Sequence, residues 1–254
     1  MHITHNFTLA FDLDEYVSFR GEQFERLLAR PGVREQVVQL FGEVVDLVQP
    51  AACHDVFPIE CFVHDRIKLA NGATLGGGPV VQVVGGAEVL ALAVVTAGPA
   101  VDERIKQLQA ERHRFQALVL DELASWAVDQ IRQQLYAQLS EGFQARGWRT
   151  STFLSPGESA WSVREQSVIF QVLDPPQIGV SLSPGYVMTP LKSLSLMCGA
   201  GSQPMGVEGL TNCDFCSIQD RCRYARSGRH GTITLNAPRL QTTHSSLREK
   251  IFGV

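Results

Sequence analysis

Apolar residues recur along this chain with two periods, and each change of period predicts a change of element. In "GVREQVVQLFGEVVDLV" (Gly32–Val48), Val37, Val38, Leu40, Phe41, Val44, Val45, Leu47 and Val48 fall at helical spacing, between Pro31 and Pro50. "LDEYVSFRGEQFERLLAR" (Leu13–Arg30) predicts a helix broken near Gly21. The longest helical stretch runs from Val101 to Gly147. It has no proline, and Ile105, Leu108, Phe115, Leu118, Leu123, Trp126, Ile131, Leu135 and Leu139 share one stripe. At about 1.5 Å per residue it is too long for a compact domain if straight, so a bend or break is expected near Asp121. "WSVREQSVIFQVL" (Trp161–Leu173) predicts a further helix, capped by Ser159 or Ser162.

Between the helices the period shortens. "FTLAF" (Phe7–Phe11) alternates weakly, as a strand would, and "ACHDVFPIECFV" (Ala52–Val63) is strand-like, with Pro58 favouring an edge position. "VVQVVGGAEVLALAVVTAG" (Val80–Gly98) is the most apolar stretch. Gly85, Gly86 and Glu88 interrupt it, so it predicts two buried strands around a turn rather than a membrane span. "STFLSPGESAW" (Ser151–Trp161) passes from strand to turn. "IGVSLSPGYVMTPLKSLSLMCGAG" (Ile178–Gly201) predicts two strands around a Pro-Gly turn. From Ser202 to Arg229 large apolar residues become sparse, and no internal repeat is present.

Composition narrows the class. Apolar residues are 44% of the 254, enough for a buried core, and the net charge of −4 argues against broad nucleic-acid or membrane-surface binding. No basic start followed by an apolar run marks a signal peptide, which points to a cytoplasmic protein. Arg221, Arg223, Arg226 and Arg229 form a local basic cluster that could receive an acidic partner or a phosphate; a solvated face is the competing explanation.

The chemistry-bearing stretch is "CDFCSIQDRC" (Cys213–Cys222), with Cys213 and Cys216 as a CxxC pair, Cys222 close behind, and Cys198 upstream at the end of a predicted strand. In a reducing compartment such thiols serve as metal ligands or redox groups more often than as disulfides. Four cysteinates suit tetrahedral zinc or an iron–sulfur cluster. The surrounding segment has few apolar anchors, and metal binding can supply its folding energy, on the order of 10 kcal/mol in zinc peptides. The wide split between Cys198 and Cys222 favours a 4Fe–4S cluster, with zinc as the alternative and His230 as a reserve ligand. Cys53 and Cys61 are expected to be buried structural thiols. The glycine-rich "NGATLGGGPVVQVVGG" (Asn71–Gly86) lacks the Lys-Ser/Thr ending of a phosphate loop and is expected to form tight β turns.

"TAGPAVDERIKQLQAERHRFQALVLDELASWAVDQ" (Thr96–Gln130), "LSPGESAWSVREQSVIFQVL" (Leu154–Leu173) and the Ile178–Gly201 segment, in that order, resemble the activation domain of cobalamin-dependent methionine synthase and its short stand-alone relatives. The resemblance covers roughly Phe7 to Gly201. It implies an α+β fold, an antiparallel sheet with surrounding helices, over residues 1–201. The Cys-rich metal- or cluster-binding segment 202–254 would pack on the same domain. It also implies a corrinoid protein or corrinoid-dependent methyltransferase as partner, and Ser155, Pro156 and Gly157 as ligand-binding positions. The synthase motif carries an Arg and a Tyr where this chain has Phe153 and Glu158. Phe153 cannot clamp a carboxylate and Glu158 adds negative charge near it, which counts against S-adenosylmethionine. Cluster potentials extend to about −700 mV. The reading that joins these features is an iron–sulfur accessory protein. It docks on a corrinoid methyltransferase system and supports reductive activation by electron transfer, with the arginine cluster and, more weakly, Lys192 orienting the partner. The alternative is a non-catalytic module that binds a corrinoid, S-adenosylmethionine or a partner protein and holds a structural metal.

Overall fold

The computed structural model describes residues 1–158 and 161–206. After a short strand β1 (His2–Thr4), Asp12 accepts a hydrogen bond from the Glu15 backbone N–H and starts α1 (Leu13–Arg20). Gly21, at φ 79°, breaks the helical run before α2 (Glu22–Leu28). Then come α3 (Val33–Leu47), β2 (Ala51–Val63), β3 (Arg66–Leu69), β4 (Thr74–Gly76), α4 (Val80–Val84), β5 (Val89–Thr96), α5 (Pro99–Ala110) and α6 (Arg114–Gln144). The described chain closes with β6 (Arg149–Thr150), α7 (Gln166–Val172), β7 (Ser181–Leu182), β8 (Met188–Thr189) and β9 (Ser193–Gly201).

The main sheet is antiparallel, in the order β4-β3-β2-β5-β9-β6, with β1 paired to the first residues of β2. β5 and β9 lie at its centre and are covered on both faces. Ala91, Ala93, Val95, Leu196, Cys198 and Ala200 face a core made with α1, α2, α3, α5 and α6. Leu90, Leu92, Val94 and Met197 face a second core made with β3, β4, α4, α7 and Trp161. Burial on both sides explains why β5 reads as one unbroken apolar run.

Several expectations change. Phe7–Phe11 forms no strand; its Thr8 and Ala10 backbones hydrogen-bond instead to the side chains of Gln134 and Gln130 on α6. Val80–Val84 is a helix, not a strand, because Val80, Val83 and Val84 recur at helical spacing and all point into the second core. The long helical stretch breaks at Glu111–His113, where Arg112 adopts φ 65°, and runs through Asp121 without interruption. β2 is internal rather than an edge. Pro58 is tolerated because its backbone faces away from β5, where Ala70 donates to its carbonyl just before the β3 ladder begins. Ser162 caps the turn leading into α7.

One close approach fixes how α4 sits on the sheet. A Cβ on Gly199 would lie 2.9 Å from the Ala87 Cβ and 3.0 Å from the Val84 Cβ. Only a bare backbone lets α4 and its following turn reach β9. Residues 202–206 continue on this side: Ser202 donates to Glu88, and Gly206 N–H donates to the Gly85 carbonyl. Among the described residues no helix is long and apolar enough to cross a membrane.

Candidate functional site

Ser155, Pro156 and Gly157 form a type II turn. The Glu158 N–H donates to the Ser155 carbonyl, Pro156 stands at the second position and Gly157 takes φ 92° at the third. The Pro-Gly pair is thus required by backbone geometry. Ser155 is not: its hydroxyl is buried and has no hydrogen-bond partner among the described residues. The Thr152 hydroxyl, three residues before it, is in the same state. Leu154 is held on β9 by paired backbone bonds with Met197, so the whole 152–158 segment is anchored at its middle.

On one side of this segment lies the glycine turn that follows β4. The Trp161 indole donates to the Gly76 carbonyl at 3.0 Å, and Glu165 accepts from the Gly76 N–H and the Arg66 guanidinium, each at 2.9 Å. A Cβ on Gly76 would fall 2.3 Å from the Asp65 carbonyl, so this position admits glycine alone. Of the stretch expected to form tight β turns, residues 77–79 do turn, between β4 and α4, but Val80–Val84 is helix; the Gly76 end of β4 braces the Ser-Pro-Gly loop. Gln166, one residue further on, is buried with its Oε1 unpartnered.

On the other side a guanidinium reaches the position where the resemblance placed an arginine, but it comes from α6. The Arg132 Cζ lies 4.1 Å from the centroid of the Phe153 ring. Arg132 is paired with Asp129, whose second oxygen accepts from Gln133 at 2.6 Å. The Arg132 Nε is buried and unpartnered. Tyr136 packs edge-on against Phe153 and donates to the Ser151 carbonyl at 2.6 Å. Sequence reasoning missed Asp129 and Arg132, because among Gln130, Gln133 and Gln134 they show only as further polar residues of an amphipathic helix.

Cys198 belongs to the same face of the sheet. It is fully buried in β9, and burial pushes its thiol up to about 12. Burial also raises the Tyr136 hydroxyl, with nearby Cys198 adding to the effect. A metal needs the thiolate, and this environment opposes it. Cys53 is likewise buried and raised to about 11, chiefly by burial, as expected of a structural thiol, whereas Cys61 is partly exposed. Cys213, Cys216, Cys222, Arg221, Arg223, Arg226, Arg229 and His230 lie outside the described residues. Among the described residues no three metal-ligating side chains come together. Lys192, just before β9, is tied to Asp121 at 2.8 Å and to the Ser125 hydroxyl at 3.0 Å, joining the start of β9 to α6.

No protein-family model matches this chain, and no curated protein matches it in sequence. Among solved structures, a crystal structure of the MetH reactivation domain bound to AdoHcy is similar. The match covers 83% of this chain and 78% of that one, with a TM-score of 0.51 and 16% identity. The described body, a curled antiparallel sheet with helices packed around it, therefore has the α+β fold of a methionine synthase reactivation domain.

Proposed function

We propose that this protein is an accessory protein of a corrinoid-dependent methyltransferase system, docking on the corrinoid protein and supporting its reductive activation. The observation that carries this reading is the fold, shared over 83% of the chain with a domain named for reactivation. In the finer form of the proposal the Cys-rich segment holds a 4Fe–4S cluster and passes an electron, with zinc as the alternative. The ligands are Cys213, Cys216 and Cys222, with Cys198 as the fourth of the set. The burial of Cys198 makes it the weakest of the four. The arginines at 221, 223, 226 and 229 would face an acidic surface of the partner.

A second reading concerns the ligand. An S-adenosyl-type molecule bound beside the Ser155–Gly157 turn is favoured by the AdoHcy in the similar domain and by the unpartnered hydroxyls of Thr152 and Ser155. Buried polar atoms without partners are rare, and a ligand that pairs with them removes the cost. In this form the protein is a binding module, and its metal only orders the tail.

Two measurements test the proposal. Sedimentation of the full chain with a corrinoid methyltransferase carrying cob(II)alamin should give a complex; its absence at micromolar concentrations would remove the docking role. Iron and zinc analysis of anaerobically prepared protein, with and without Cys216→Ser, separates the finer forms. About four irons per chain, lost in the variant, fit electron transfer; zinc alone fits the binding module.

A further inference from the structure

We propose that the α1–α2 elbow is a self-complementary surface that receives a second copy of this chain, acidic flank against basic flank. The elbow carries two hollows, each lined by charges of one sign. One, of about 460 Å³, is lined by Asp14, Val17, Ser18, Gly21, Glu22 and Glu25. The other, of about 320 Å³, is lined by Arg20, Gln23, Phe24, Arg26, Leu27 and Arg30. The periodicity of α2 keeps them apart. Phe24 and Leu28 are buried in the first core. At about 3.6 residues per turn, Glu22 and Glu25 then fall on one flank of the outer face, and Gln23 and Leu27 on the other. Glu22 and Arg26, both exposed, pair at 3.3 Å along the crest between the flanks.

Much of this charge is uncommitted. Asp14, Glu25 and Arg30 make no ion pair and no side-chain hydrogen bond among the described residues. Arg20 is held in place by its ion pair with Glu122 and by the Phe24 ring, whose centroid lies 4.8 Å from its Cζ. A uniformly acidic partner laid over the elbow would be drawn to the arginines and repelled by the carboxylates beside them, and a basic partner would meet the reverse. The surface fits a partner that carries the same two flanks in the opposite order. A copy turned about a two-fold axis running along α2 presents that order, and every contact is then made twice. Exposed ion pairs are individually weak and salt screens them, so the dimer is a weak, salt-sensitive one.

Sedimentation equilibrium of the full chain tests this. The wild type should show a monomer–dimer equilibrium whose association constant falls about tenfold or more between about 0.05 M and about 0.5 M salt. Glu25→Arg and Arg30→Glu, both at exposed positions, should each remain folded by circular dichroism and sediment as monomers, because each sets like charges against one another at both contacts. Mixed in equal amounts, the two variants should regain the wild-type association, since the introduced arginine of one then faces the introduced glutamate of the other. A wild type that stays monomeric throughout, a dimer indifferent to both substitutions, or a mixture no more associated than its parts overturns the proposal. A monomeric wild type that binds an oligoglutamate peptide, with binding lost in Arg30→Glu, also overturns it and gives the basic hollow to an acidic partner instead.

Discussion

Glu165, in the turn before α7, accepts the backbone N–H of Gly76 at 2.9 Å and thereby ties two segments 89 residues apart. The same carboxylate holds Arg66, and the Trp161 indole closes the other side of Gly76. These bonds stand behind the Ser-Pro-Gly turn, whose Gly157 N–H donates to the Trp161 carbonyl. Glu165→Ala should lower stability by about 1–3 kcal/mol, the cost of leaving a part-buried donor unpaired. Urea unfolding should show a lower midpoint with an unchanged slope; an unchanged midpoint would mean that the brace holds nothing.

The two buried thiols set an alkaline limit. Cys53 and Cys198 rise from an ordinary 9.0 to about 11 and about 12, mainly through burial. The folded chain therefore keeps protons that the unfolded chain releases. Stability should be unaffected by these groups below pH 9 and fall above it, by about 1.4 kcal/mol per pH unit for each thiol until its folded value is reached. Denaturation of metal-free protein followed from pH 8 to 11 should show a shallower decline in Cys198→Ala than in the wild type. Native alkylation at neutral pH should modify Cys61 and spare Cys53 and Cys198.

Gly199 governs the seat of α4. Its missing side chain leaves Ala87 and Val84 against the sheet, at distances where a Cβ would overlap both. Gly199→Val should cost about 1–3 kcal/mol through overpacking, whereas Gly142→Ala on α6, with open space around it, should be neutral or stabilising. Thermal melts of the two variants side by side check the contrast.

Lys192 joins β9 to α6 through Asp121 and Ser125, with only 14% of its side chain exposed. Lys192→Met should cost about 1 kcal/mol, since Asp121 is half-exposed and screened by water. It should leave binding to a corrinoid protein unchanged. A weakened complex with unaltered stability would return Lys192 to a docking role.

The helices were legible wherever one face is apolar: the stripe of α3 and the spacing of Leu123, Ile131 and Leu135 on α6 announce them directly. The break at Glu111–His113 was hidden because no glycine or proline marks it; a non-glycine residue, Arg112, takes the left-handed conformation. Val80–Val84 resembled a strand because valine favours strands, but five residues in which three point the same way settle into a helical turn. Of the candidate site, the Ser-Pro-Gly turn was readable from its own residues. Its supports, Glu165 with Gly76 and Arg132 with Phe153, were not, because each is made by residues distant in the chain. The ties that Lys192 makes were hidden for the same reason, since its partners stand on α6.

The proposed role is service to a corrinoid protein. The most direct measurement is the anaerobic absorbance of a cob(II)alamin-loaded corrinoid methyltransferase, followed under a fixed reductant with and without the full chain. The prediction is that equimolar protein speeds formation of the cob(I)alamin species. An unchanged time course across a range of protein concentrations, with the chain folded and metal-replete, would contradict it.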